Sequence, residues 1–179
     1  DNPIAVSFRG HLYAGLESLL DKDRLRDADI ETFEIMLYIS GEKERGYLTV
    51  ESLENFNCQA LRDIDSFWVN YPKPEKDHFG FSVQKEIWIA NGSPTLEDWN
   101  SEKRGAWRQF YIDVGWKTEE SGIESGEGYL DLDRLGGYTN TLTSKKGNLP
   151  GKVHARNSPR WFIGAYISFF ALRTVTCNI

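Results

Sequence analysis

Metal-ligating and redox-active side chains are scarce in this chain. Its 179 residues include three His, two Cys and one Met. His11, His78 and His154 fall in different segments, and neither they nor the cysteines have zinc-site spacing. Isolated histidines more often pack or face solvent than ligate haem, so no axial ligand is expected. Cys58 and Cys177 do not make a disulfide scaffold. They are expected to be free buried thiols in a reducing compartment. No run reaches the roughly 18–20 apolar residues of a membrane span. The longest candidate, Trp161 to Leu172, stops at Arg173. The opening DNPIAVSFRG lacks a basic stretch followed by a long apolar one, so no secretory signal is expected. The numbering begins without Met, which leaves room for an upstream segment.

Catalytic signatures are absent too. There is no Walker A sequence, no GxGxxG after a strand, no GxSxG and no HExxH. Asp63 and Asp65 lie two apart in a helical stretch, so they face different sides and do not form an acid/base pair. A capping or salt-bridge role suits them better. Arg62 beside them also reads as structural.

Acidic residues vanish after Asp133. The remaining segment carries Arg134, Lys145, Lys146, Lys152, Arg156, Arg160 and Arg173. The whole chain has a net charge of −6, so residues 1–133 hold −13 and the last segment +7. Such asymmetry points to an anionic partner: a carboxylate ligand, a phosphate or a membrane surface. The alternative is that the basic segment docks on the acidic body. Nucleic acid is not expected, because the bases are dispersed and the chain has a pI near 5.2.

Hydrophobic residues make up 40% of the chain, enough for a globular core and against general disorder. The length fits one domain, taken as residues 1–179. Leu12, Leu16, Leu19 and Leu20 recur on one helical face. Asp27 is placed to cap a second helix carrying Ile30, Phe33, Met36 and Leu37, with Gly41 as its stop. Thr49 reads as an N-cap with Glu51 in the first turn. Asn57 caps a helix with Leu61, Ile64, Trp68 and Tyr71, ended by Pro72 and Pro74. Ser82 opens the next helix, which stops at Asn91-Gly92. Thr95 to Asp98 resembles a capping box, and Trp107, Phe110, Tyr111 and Val114 continue the helical period. Residues 118–128 and 136–152 read as loops. Trp161–Arg173 reads as a helix hydrophobic on all sides, hence centrally buried. No period-2 strand and no internal repeat is evident. The class is all-α.

Six Trp, eight Tyr and ten Phe exceed the needs of a small helical core. Phe56, Trp116, Tyr129, Tyr138 and Trp161 flank the loops. A flat apolar ligand with peripheral carboxylates suits aromatic faces edged by Lys and Arg. For any single aromatic, core packing remains the alternative.

Five stretches carry a family resemblance. RDADIETFEIML at 26–37 is similar to A-D-x-E-T-x-x-x-M. GYLTVESLENFNCQALRDIDSFWVNY at 46–71 resembles a run through F-P-C-x-D-L-R-x-I-D-x-L-W to Y. HFGFSVQKEIW at 78–88 is similar to R-F-G-F-S-V-Q-x-x-I, and WRQFYIDVGWK at 107–117 to W-x-x-F-x-x-x-V-G-W-R. KKGNLP at 145–150 resembles P-R-G-H-L-P. Together they resemble the genomes-uncoupled-four (GUN-four) family of porphyrin-binding regulators of magnesium chelatase.

The resemblance implies an all-α helical bundle with a concave tetrapyrrole-binding cleft walled by two loops, around 41–57 and 118–150. The family's separate N-terminal bundle is not expected. The ligands implied are protoporphyrin IX, magnesium protoporphyrin and, in some members, a bilin. The implied role is non-catalytic: binding the chelatase's large subunit and stimulating magnesium insertion in chlorophyll biosynthesis, with a bearing on retrograde signalling in plants and algae. It implies no protein metal site, a monomer, the cyanobacterial cytoplasm or chloroplast stroma, and a peripheral membrane contact for the basic segment. Phe56 is implied to contact the macrocycle and Trp116 to line the cleft. Lys146 takes the place of a propionate-binding Arg, as a point charge instead of a planar fork, with Lys145 beside it. Asn57 replaces the motif's Pro and Asn148 its His. Tyr129, Tyr138 and Arg156 complete the expected ligand set. Cys58, Leu61, Arg62, Ile64, Asp65 and Trp68 match positions read as structural. These departures also suit a paralogue: a bilin-binding or ligand-free sensory module of a larger signalling protein.

Overall fold

The computed structural model describes residues 3–71, 78–93, 104–115, 146–147, 149–150 and 170–179, with the side chains of 3–9 and 104 left aside. Six helices are delimited: α1 (Pro3–Asp21), α2 (Leu25–Ile39), α3 (Val50–Glu54), α4 (Cys58–Val69), α5 (Phe81–Ala90) and α6 (Arg104–Asp113). Residues 170–176 are helical as well. Among the described residues there is no strand, as the sequence periodicity requires.

The local signals fix most helix ends. Asp23 takes φ 58°, and the Asp23 and Arg24 amides donate to the Leu20 and Leu19 carbonyls at 3.0 and 2.9 Å. That pattern is a Schellman stop, and Asp is among the few non-glycine residues that tolerate it. Ending α1 this way turns the chain straight into α2. Gly41 ends α2 in the same manner at φ 70°, with Glu42 N donating to Leu37 O at 2.9 Å. Thr49 and Ser52 form a reciprocal capping box at α3. Asn57 Oδ1 caps α4 by accepting from Ala60 N at 2.9 Å.

Two expected ends differ. The N-cap of α2 is Arg24, not Asp27. Asp27 sits in the first turn, where its carboxylate accepts from Arg24 Nε at 2.8 Å and meets the positive end of the helix dipole. α5 begins at Phe81, one residue before Ser82, with Gly80 as N-cap.

α1 packs chiefly on α2, α4 spans α1 and α5, and α5 reaches α6. Leu16, Leu61, Ile64 and Trp68 are fully buried in the main core between α1, α2 and α4. Trp68 and Thr32 settle their polar groups there. The indole N–H donates to Thr32 Oγ1 at 3.0 Å, and that hydroxyl donates to Ala28 O at 2.8 Å. A second cluster joins Trp88 of α5 to Trp107, Phe110 and Tyr111 on α6, to Val114 just after it and to Ala171.

The C-terminal segment departs from expectation. The described helical part runs to Thr176, and its faces differ. Phe170, Ala171 and Thr174 are buried, whereas Leu172 and Val175 are 45% and 48% exposed. It is amphipathic here, not buried all round. The cysteines are not free either: Cys58 and Cys177 form a disulfide, with Cα atoms 5.1 Å apart. Their 119-residue separation hid a contact that only the fold creates.

Candidate functional site

The 78–88, 107–117 and 145–150 stretches meet in space. Gly147 N donates to His78 O at 2.8 Å, and Gly80 N donates to Leu149 O at 2.8 Å. The buried side chain of Gln84 donates through Nε2 to Pro150 O at 2.6 Å. These three bonds lay residues 146–147 and 149–150 as a strap over the start of α5. Leu149, joined to Pro150 by a cis peptide bond, is fully buried in the main core.

Gly147 explains how closely the strap lies. It holds φ 75°, and a Cβ there would stand 2.7 Å from Ile87 Cδ1 of α5 and 3.5 Å from Val114 Cγ1 after α6. Only glycine fits without displacement. Lys146, one residue earlier, is exposed. The strap therefore anchors the backbone beside Lys146 at the junction of α5 and α6.

The start of α5 is braced from α4. Gly80 has φ 128°, and a Cβ on it would lie 2.7 Å from Val69 Cγ2 and 2.8 Å from Asp65 Oδ1. Asp65 is buried, and its Oδ1 accepts from Ser82 N at 2.9 Å. It thus caps α5 from a neighbouring helix. Burial pushes its carboxyl above the usual range, and the hydrogen bonds from Ser82 and Phe81 oppose that shift. Asp63, on the other side of α4, accepts from Gln59 Nε2 at 2.7 Å. The two carboxylates are separated as their spacing demands.

The Phe56–Asn57 loop lies at the N-terminus of α4 and is clamped by the C-terminal segment. Arg173 Nε and Nη2 donate to Phe56 O at 2.8 and 2.5 Å. Arg62 Nη1 donates to Cys177 O at 2.8 Å, beside the disulfide. Lys85 Nζ donates to Ile179 O, and Phe81 meets Phe170 edge-on at 4.6 Å. The Phe56 ring is 2% exposed and belongs to the main core. Asn57 spends its side chain on the cap.

A groove of about 400 Å³ opens at the other end of α4, lined in part by Glu17, Asp21, Asp23, Phe67, Asn70 and Tyr71. The Tyr71 hydroxyl donates to Asp23 Oδ1. Desolvation first, and Asp23 second, push the Tyr71 hydroxyl above its ordinary value. The carboxylates here repel an anionic ligand, so the groove does not suit a pigment with propionates.

Of the expected ligand set, Phe56, Asn57 and Lys146 lie among the described residues; Trp116, Tyr129, Tyr138, Lys145, Asn148 and Arg156 lie outside them. The Thr95–Asp98 capping box, the loop at 118–128 and all of the loop at 136–152 but residues 146–147 and 149–150 lie outside them as well. Sequence reasoning missed Gln84, Arg173, Lys85 and the Cys58–Cys177 bond. Arg173 had one signal, as a base at the edge of an apolar run; Gln84 lay inside the 78–88 stretch without a stated role. No group of three or more potential metal ligands occurs among the described residues, and no described helix is long and apolar enough to cross a membrane.

The GUN4-like family model matches residues 7–167. A chloroplastic tetrapyrrole-binding protein of Arabidopsis thaliana is 36% identical over 76 residues, covering 41% of this chain and 28% of that protein. The ycf53 protein of Cyanidium caldarium is 28% identical over 113 residues, covering 62% of this chain and 41% of its own length. The chain thus spans less than half the length of these curated relatives. In three dimensions the ligand-free structure of Arabidopsis thaliana GUN4 matches with a TM-score of 0.59 at 20% identity, covering 90% of this chain and 91% of that one. GUN4 from Chlamydomonas reinhardtii gives 0.56 at 18%, covering 88% and 86%. At these identities the structural likeness establishes the helical fold.

Proposed function

Because the chain belongs to the GUN4-like family, we propose that it is a non-catalytic tetrapyrrole-binding protein whose ligand carboxylate is held by Lys146. The observation that carries this reading is the strap. Three hydrogen bonds and the close approach of Gly147 fix the backbone next to the exposed Lys146 at the α5–α6 junction. A flat macrocycle would bury apolar area against aromatic side chains, and a propionate would pair with the lysine. The carboxylates of the groove make it an unsuitable place for such an anion, and the basic segment suits it better. The relative named as a tetrapyrrole-binding protein supports the ligand class.

The finer reading is as follows. Protoporphyrin IX or magnesium protoporphyrin is the ligand, with Trp116, Tyr129, Tyr138, Lys145, Asn148 and Arg156 completing the site and Phe56 and Asn57 on its other wall. The protein is a monomer that binds the large subunit of magnesium chelatase and stimulates metal insertion, in the cyanobacterial cytoplasm or chloroplast stroma, with the basic segment contacting a membrane surface. A bilin-binding or ligand-free sensory module is the second reading. Lys146 favours it, because a point charge orients a cyclic dicarboxylate less strictly than the family's planar Arg.

The test is a parallel titration with protoporphyrin, magnesium protoporphyrin and biliverdin, followed by tryptophan quenching and pigment absorption. Lys146→Ala is expected to weaken porphyrin binding by about 1–3 kcal/mol, the range for a hydrogen bond to a charged group. Preference for biliverdin moves the assignment to the second reading.

A further inference from the structure

We propose that the Cys58–Cys177 bond is a redox-modification site, reduced by a dithiol, that locks the Phe56–Asn57 loop to the C-terminal segment and thereby holds ligand affinity down. The part about affinity rests on the tetrapyrrole reading above; the lock itself does not.

The bond covalently couples two elements that lie 119 residues apart in sequence. Cys58 is the first residue of α4, directly after Phe56 and Asn57. Cys177 follows the last described helical turn. Arg173, four residues before Cys177, holds the Phe56 carbonyl, and Arg62 holds the carbonyl of Cys177. The same segment is tied to α5 through Phe170 on Phe81 and through Lys85 on Ile179. With the bond closed, moving Phe56 drags a segment that is fastened to a second helix. In this state the Phe56 ring is 2% exposed. Contact between that ring and a flat ligand requires the loop to leave the core, which the bond opposes. With the bond open, only the noncovalent ties remain, and the loop moves at lower cost.

The two sulfurs are unequal. Cys177 is 3% exposed, whereas Cys58 is half-buried. A dithiol's thiolate therefore attacks Cys58 Sγ, the S–S bond breaks, and Cys177 leaves as a thiolate that takes up a proton. The second thiol of the reductant attacks the mixed disulfide, closes its own disulfide and releases Cys58. Two electrons and two protons pass from the dithiol to the two cysteines. The Cys58 thiolate departs at the N-terminus of a 12-residue helix, where the dipole favours negative charge. A small-molecule or protein dithiol supplies the same chemistry.

The test uses the full chain in three states: treated with oxidised dithiothreitol, treated with reduced dithiothreitol, and as Cys177→Ser. Alkylation followed by mass measurement counts thiols. Hydrogen exchange reads the amides of 54–60 and 170–179, and tryptophan quenching reads protoporphyrin affinity. The expected result is no alkylatable thiol in the oxidised form and two in the reduced form. Exchange in both segments is then faster by about tenfold or more, in keeping with release of a long closed loop. Protoporphyrin binds about tenfold tighter to the reduced protein and to Cys177→Ser. Two alkylatable thiols after oxidation, or unchanged exchange on reduction, overturn the lock. Equal or tighter binding to the oxidised form overturns its control of affinity. Absence of porphyrin binding in all three states refutes the tetrapyrrole reading and the control of affinity with it, while thiol count and exchange still decide the lock.

Discussion

The two ends of α4 are built on opposite principles. At its N-terminus the chain is clamped: a disulfide, two arginines on backbone carbonyls and a side-chain cap converge on residues 56–62. At its C-terminus the helix opens onto an acidic groove, where one tyrosine hydroxyl bonds one carboxylate. The first end fastens distant parts of the sequence and keeps cationic side chains near. The second end joins residues 48 apart, with no covalent tie, and its carboxylates repel anions. One helix thus joins an end tied to the C-terminal segment to an open acidic end.

The largest effect should come from the clamped end. Cys177→Ser is expected to cost about 2–5 kcal/mol of stability, as for native disulfides that close long loops. Urea midpoints of the variant and the oxidised parent measure it, and a loss near zero would mean that the arginine contacts suffice alone. Arg173→Met comes next, at about 1.5–3 kcal/mol. It removes charge-assisted bonds and leaves the Phe56 carbonyl beside a buried ring. The same urea series reads it, and an effect below that of the groove variant would invert the comparison.

Asp65, between the two ends, adds a pH dependence. Its folded pKa is raised by burial above the ordinary carboxyl value of 3.8. The folded form therefore binds the proton more tightly than the unfolded form. This group's contribution to stability rises as pH falls from neutral through the raised value towards 3.8, and is lost again as pH climbs. Asp65→Asn keeps an acceptor for Ser82 N and removes the charge. Its melting temperature relative to the parent should thus be higher at neutral pH than near pH 4. The reverse trend would show that the hydrogen bonds, not desolvation, dominate. The smallest effect belongs to the open end: Tyr71→Phe should cost about 0.5–1.5 kcal/mol, the net value of one ordinary hydrogen bond, by thermal melts. A larger loss would make the groove end as constrained as the clamp.

Helix stops and caps were legible because they depend on a few adjacent residues. Gly41, Thr49, Asn57 and Asn91 all act as their neighbours imply. Asp27 misled because a carboxylate in a first turn and one at an N-cap share the same local sequence; the Schellman stop at Asp23 moved the helix start back. The disulfide and the Arg173 contact were not legible, since nothing local encodes a partner 117 or 119 residues away. Leu172 lay at the end of an apolar run, whose exposed side its own residues do not mark, and Val175 lies beyond Arg173 where that run stops. Lys146 was singled out through family resemblance alone. The anchored backbone beside it became visible only when Gly147 was found against Ile87 and Val114.

The most direct measurement is a pair of protoporphyrin titrations on the parent and Lys146→Ala, followed by tryptophan quenching. Saturable binding to the parent, weakened about 5- to 150-fold in the variant, is the result expected for a propionate held by this ammonium. Equal affinity in both proteins, or no saturable binding to the parent, would contradict the account.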